Sequence, residues 1–154
     1  MIRFSNRTRK HRISAAFWRR RATALLAAAR LGHAELSLTF VGDSAMRRLN
    51  REYRGKDRPT DVLSFPQHPP FRVPRAGDGP VLLGDVVIDL DVAARQARDY
   101  AAPLRDEIAR LLIHGILHLA GHDHEETAER RRMERAERRL AAAIGLPDPY
   151  AGSA

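Results

Sequence analysis

The sequence predicts a single α+β domain built from four short strands and about five helices. Three observations carry that expectation. Residues 35–41 alternate, with Leu36, Leu38 and Phe40 on one side and Glu35, Ser37 and Thr39 on the other, the period of a half-buried strand. Residues 81–90 hold an apolar run centred on Val86, Val87 and Ile88, as a buried strand requires. From Leu104 to Leu119 the chain is apolar almost all round at helical spacing, which marks a central helix. At 154 residues, 44% hydrophobic and 30% charged, the chain suffices for one domain with a proper core.

Taken in order, a short strand opens at Ile2–Phe4. A basic amphipathic helix follows over Ser14–Leu31, with Phe17, Ala24, Leu25, Ala28 and Leu31 toward the core and Gly32 closing it. After the strand at 35–41, Gly42-Asp43 turns the chain and caps a helix over Ser44–Tyr53, with Met46, Leu49 and Tyr53 inward and Gly55 at its end. Val62–Phe65 is a short strand stopped by Pro66, and residues 66–80, with five prolines, form a loop. Asp91 is the expected cap of a helix over Val92–Tyr100. Pro103 starts the central helix, with Asp106 and Glu107 in its favourable first turn. A last, densely charged helix covers Glu125–Ile144 with Met133, Ala136, Leu140 and Ile144 buried. The domain covers 1–150. Residues from Pro147 onward read as a tail, and 151–154 lie beyond the domain.

The absence of cysteine excludes disulfides and thiolate metal sites, so a tightly held metal must use His, Asp or Glu. No apolar run approaches the roughly 20 residues a membrane span needs. The net charge is +8 and unevenly placed: residues 1–34 carry nine Lys and Arg and no acid, whereas the remainder is nearly balanced. Only Lys10 and Lys56 are lysines. Arginine's planar fork suits phosphate, which favours a nucleic-acid partner over a merely solvated basic face. The Arg-rich start also has the composition of a mitochondrial transit peptide, but its apolar stripe argues for a structural first helix.

Chemistry concentrates in His114-Gly-Ile-Leu-His118-Leu-Ala-Gly121-His122-Asp123-His124. His114 and His118 share a helix face at i, i+4. Each brings a polar ring to an apolar helix and needs a partner there. A glycine turn and two further histidines make metal binding the economical answer, with zinc suited to three imidazoles and an open fourth position. His114, His118 and His124 reproduce the H-x3-H-x5-H spacing of metzincin peptidases, which favours His124 as third ligand; His122 is the alternative. Asp123 is a candidate orienter of a ligand, or the cap of the next helix. Peptidases place a glutamate base after the first histidine, and here that position is Gly115, so proteolysis is disfavoured.

Two other segments stand out. The run from Leu49 to Pro66 gathers Arg51, Arg54, Lys56 and Arg58 around a helix end and turn, a cluster able to hold a phosphodiester backbone or to pair with Glu52, Asp57 and Asp61. In Leu83-Gly84-Asp85, the glycine suggests a bulge or close backbone approach. Asp85 is either a histidine orienter or proton acceptor, or a satisfied structural carboxylate.

Together, Leu49–Pro66, the LGD strand at Leu83–Ile88 and HGxLHLxGxDH at His114–His124 resemble the YbeY family of bacterial single-strand-specific metallo-endoribonucleases, also called rRNA maturation factors. The similarity spans nearly the whole chain and includes Asp148-Pro149-Tyr150; the N-terminal segment is the least similar part. It implies an α+β fold with a small mixed sheet, and one zinc ion bound by His114, His118 and His124 at the end of the central helix. It also implies a functional role for Arg54, which position and chemistry assign to stabilising phosphate or transition-state charge. The implied work is cleavage of single-stranded RNA, 3′-end maturation of small-subunit rRNA and ribosome quality control in the cytoplasm. The rival reading is a non-catalytic ribosome assembly factor with a structural metal, in which His122 or Asp123 fills the fourth position.

Overall fold

The computed structural model describes residues 1–68, 73–77, 79–122 and 126–150. The elements run β1 (Ile2–Asn6), α1 (Ala15–Ala28), β2 (Ala34–Val41), α2 (Asp43–Arg54), β3 (Val62–Pro66), β4 (Val81–Asp89), α3 (Leu90–Asp99), α4 (Leu104–Leu119) and α5 (Thr127–Ala143). The four strands form one mixed sheet in the order β1-β2-β4-β3. β1, β2 and β4 are parallel, while β3 pairs antiparallel to β4 with Val62 opposite Ile88 and Pro66 opposite Gly84. This is the expected α+β architecture.

The alternation in β2 settles which sheet face is which. Leu36, Leu38 and Phe40 are fully buried and, with Val86 and Ile88 of β4, meet Leu25, Ile108, Leu112, Ile116 and Leu140 from α1, α4 and α5. On the other face a smaller cluster, Val41, Met46, Leu63 and Val87, seats α2. The long apolar stretch of α4 is explained by its neighbours: it packs on β3, β4, α1, α3 and α5.

Several local expectations are corrected. Ser14 caps α1 by accepting from the Phe17 N–H, but the helix ends before Gly32: Arg30 adopts φ 61 and the Leu31 N–H bonds Leu26 O, the wrap usually made with glycine. The buried stripe of α1 is Trp18, Ala22, Leu25 and Leu26, a face at i, i+4, i+7 and i+8 that leaves Ala24 exposed. Tyr53 is 65% exposed, its ring edge-on to Phe65, and Asn50 takes the inward position by donating to Arg58 O. Asp89, not Asp91, caps α3: its carboxylate accepts from the Asp91 and Val92 N–H groups. Pro147–Tyr150 is no loose tail, since the Tyr150 hydroxyl donates to Glu137 and Arg138 pairs with Asp148.

Candidate metal and nucleic-acid site

β3 is an edge strand, and two helices approach that edge from opposite faces of the sheet. α4 lies on the core face, and its close approach depends on Gly115. A Cβ there would sit 2.7 Å from one Val86 methyl, 3.0 Å from the other and 3.3 Å from Ser64 Oγ. Ser64 uses this proximity to donate to Gly115 O at 3.1 Å. Gly84 plays the matching part in the sheet: at φ 147 a side chain would collide with Phe65 O and lie 2.9 Å from Leu119 Cδ2. Both glycines therefore serve close approach, as the sequence suggested for Gly84.

This packing brings His114 and His118 to the edge, half-buried, with their Nε2 atoms 3.0 Å apart and rings edge-to-face. Two imidazoles on one metal with bonds of about 2.0–2.1 Å at a tetrahedral angle would hold their nitrogens about 3.3 Å apart. The donor set and its convergence thus fit a borderline metal such as zinc. Gly121, at φ 95, turns the chain after α4, and the His122 N–H closes the helix on Leu117 O. His122 is half-buried, and burial, followed by Arg139 and Arg132, lowers its pKa. His124 and Asp123 lie outside the described residues.

From the other face, α2 ends at Gly55, whose φ of 69 makes the left-handed cap a side chain would resist. That ending puts Arg54 on the same cavity as the histidines. The cavity, of about 470 Å³, is lined by Arg54, Thr60, Asp61, Ser64, His114 and His118, among others. Asp61, expected from the sequence only as a pairing partner for the arginine cluster, stands in the cavity wall. Its carboxylate accepts from its own strand's Val62 N–H at 2.8 Å and from Gln96 at 3.4 Å, so it organises the start of β3 at the cavity wall. Only its place between Thr60 and the strand signalled that role.

The other expected residues are dispersed. Arg51, Lys56 and Arg58 are exposed around the α2 end and do not line the cavity; Arg51 lies 3.6 Å from Asp57, which also binds Arg47. Asp85 alternates onto the open sheet face, opposite Ser37 and Phe65, and accepts from Gln67 at 3.4 Å. It shares a shallow hollow with Arg3 and Glu35, away from the histidines. A larger hollow of about 550 Å³ beside α4 and α5, lined by Asp106, Glu107, Arg110 and Glu137 among others, contains none of the expected residues.

One group was not foreseen as a cluster. Where β2 and β4 end and α2 and α3 begin, carboxylate oxygens of Asp43, Asp89 and Asp91 lie within 4.8 Å of one another. Arg95 grips Asp43 with two bonds, which first among several causes lowers its pKa. Asp91 accepts from His11 at 2.9 Å and lies 3.7 Å from Lys10. Asp89 is fully buried and its Oδ2 has no hydrogen-bond partner. Burial, with the Asp43 carboxylate adding to it, pushes the Asp89 carboxyl up to about 8.

Fold and cavity together define a class: an α+β protein with an imidazole pair on its central helix, facing a guanidinium across a sheet edge. Comparison with known proteins identifies which such family this is. Residues 3–145 match the family model described as Endoribonuclease YbeY. An Endoribonuclease YbeY from Anaeromyxobacter sp. (strain Fw109-5) is 51% identical over 145 residues, covering 94% of this chain and 72% of that one. Another, from Halorhodospira halophila (strain DSM 244 / SL1), is 47% identical over 116 residues, covering 75% and 74%. The chain belongs to the endoribonuclease YbeY family. The fold matches the solution structure of TM1509 from Thermotoga maritima at a TM-score of 0.59 and 23% identity, over 97% of this chain and 98% of that one.

Proposed function

We propose that this chain is a zinc-dependent, single-strand-specific endoribonuclease that acts in the cytoplasm on ribosomal RNA, with 3′-end maturation of small-subunit rRNA and ribosome quality control as its work. The observation that carries the reading is the cavity at the β3 edge, where paired imidazoles and Arg54 face one another. His114 and His118, with His124 as third ligand, would hold one zinc ion. When bound, that ion supplies Lewis-acid chemistry toward a phosphoryl oxygen or the attacking water.

The chain's own residues do the rest. Arg54 is exposed at a rigid helix end, so its guanidinium reaches a phosphate in the cavity without reorganising the fold. Placed there, it neutralises charge that grows on the phosphoryl oxygens during cleavage. Thr60 and Ser64 supply hydroxyls to the same wall; Ser64 donates to Gly115 O, so its oxygen lone pairs face outward as acceptors. Arg51, Lys56 and Arg58, exposed around the same helix end as Arg54, add positive charge that would draw in RNA and orient its backbone. Gly115 leaves no glutamate beside His114, so this site lacks the proton acceptor that the peptidases use.

The test is cleavage of single-stranded and duplex RNA by the purified protein, beside His114→Ala and Arg54→Ala. Loss of single-strand cleavage in both variants supports the proposal, and undiminished cleavage in both refutes it. X-ray absorption separates this from an assembly factor with a structural metal. Three protein ligands and a water favour the enzyme, and four protein ligands the structural role.

A further inference from the structure

The basic N-terminal segment is the largest feature the cavity does not use. Residues 7–12 form a connection that is basic yet firmly held. Asn6 accepts from the Thr8 N–H at 3.0 Å and hydroxyl at 2.7 Å and donates to His11 O at 3.1 Å, while the Arg7 N–H bonds Phe40 O at 2.9 Å. Lys10 and His11 are committed to Asp91. These contacts hold the loop down without using its arginine side chains. Arg7, Arg9 and Arg12 are left exposed, with no acidic partner among the described residues.

The same anchor fixes where the loop sits. Asp91, which holds His11, also accepts from the Asp43 N–H at 3.1 Å, the first residue of α2. The loop is therefore clamped to the start of α2, and Arg54 stands at that helix's far end. Twelve residues at 1.5 Å each make α2 roughly 18 Å long. Between its ends the helix presents Arg48, exposed and without an acidic partner among the described residues, and Arg51, which shares Asp57 with Arg47. The acids beneath the loop offer little repulsion: Arg95 pairs with Asp43, Lys10 lies 3.7 Å from Asp91, which His11 also hydrogen-bonds, and burial pushes the Asp89 carboxyl up to about 8.

We propose that Arg7, Arg9 and Arg12 form a preorganised phosphate-binding platform that, through Arg48 and Arg51, extends the RNA path from the Arg54 cavity along α2 to the N-terminal loop. The partner is the sugar-phosphate backbone of an RNA strand several nucleotides beyond the cleaved bond, gripped by charge and bidentate guanidinium contacts without reading bases. The inference rests on the RNA-cleaving reading of the cavity, but it concerns only how substrate is held.

The test compares the wild type with Arg7→Gln/Arg9→Gln/Arg12→Gln and with the triple lysine replacement. Binding of a long single-stranded RNA is measured across a salt series, and KM and kcat for its cleavage are measured in parallel. Each phosphate contact on a single strand contributes about 0.7 to the slope of log K against log salt, so three lost contacts lower it by about 2. We expect that decrease in the glutamine variant, with a KM at least about tenfold higher, kcat within about twofold, and most of the affinity restored by lysine. Salt slope and KM unchanged in the glutamine variant, in a protein whose wild type binds and cleaves RNA, overturn the platform and leave the cavity reading intact. A reduced slope with no cleavage by the wild type supports the platform and removes the cleavage reading. Failure of the wild type to bind RNA overturns both. Because the three arginines are exposed, a matching thermal melt verifies that the variants are folded.

Discussion

Asp89 offers the sharpest test of the electrostatics beneath the proposed platform. Its Oδ1 caps α3, while its Oδ2 is buried without a donor beside Asp43. With the carboxyl raised from an ordinary 3.8 to about 8, the folded protein carries a proton that the unfolded chain has lost throughout that window. The native state thus binds more protons than the unfolded one, so stability is fully present below about pH 4 and falls as pH rises toward 8. At about 1.4 kcal/mol per pH unit the full cost at pH 7 would be about 4 kcal/mol. Asp43 shares the titration and is held ionised by Arg95, so we expect about half of that, ~2 kcal/mol. Asp89→Asn has the same shape, keeps the Oδ1 cap, and places an N–H donor where Oδ2 faces Asp43. The variant should be about 2 kcal/mol more stable than the wild type at pH 7 and near parity at pH 4. Urea unfolding from pH 4 to 9 reads this directly, because a shift in midpoint at constant slope is a shift in stability. Parallel stability curves for the two proteins would refute the buried, proton-carrying Asp89.

Gly84→Ala should destabilise by about 3 kcal/mol, from a strained left-handed residue and a clash with the Phe65 carbonyl, lowering the urea midpoint by about 1–3 M. Arg54→Ala should reduce kcat for RNA cleavage about 10²–10³-fold with little change in unfolding midpoint, since the side chain is exposed. His118→Ala should abolish stoichiometric zinc uptake measured by metal analysis and cleavage with it; zinc uptake equal to wild type would remove His118 from the ligand set. Tyr150→Phe should cost about 1 kcal/mol in thermal unfolding by removing the hydrogen bond to Glu137, and no loss would show the C-terminal turn to be unattached.

What the sequence made legible is what depends on local period and spacing. The alternation at 35–41, the apolar run read at 81–90 and the nearly all-apolar α4 each state their burial directly; each element is found, with the strand ending at Asp89 and Leu90 opening α3. The convergence of His114 and His118 follows from helical spacing alone. What stayed hidden depends on contacts between distant segments. Nothing near Asp91 in sequence reveals His11, eighty residues away, or that Asp89 would take the cap and free Asp91 to bind His11 and the α2 N-terminus. The same applies to Tyr53, apolar enough to be placed inward, yet displaced by Asn50 because a buried amide could satisfy the Arg58 carbonyl. Asp85 was legible as a residue needing a partner, but which sheet face it occupies is decided by the β-bulge between Glu35 and Leu36 and the pairing beyond it.

Gly115 shows why the likeness to zinc peptidases stops at the histidines. A peptidase glutamate next to the first histidine needs open space on that side of the helix. Here the position faces Val86 and Ser64 at distances that leave no room even for a methyl group without rearrangement. The gain is proximity: without a side chain at 115, α4 settles onto β3 and β4, and Ser64 can bond the Gly115 carbonyl. That contact carries the imidazoles to the sheet edge where Arg54 arrives from the opposite face. The glycine that removes the peptidase's base is therefore also what brings imidazole and guanidinium onto one cavity. A protein cannot have both at this position. With the guanidinium present and the glutamate absent, the proposed site would neutralise a charged phosphodiester more readily than it would take a proton from water attacking an amide.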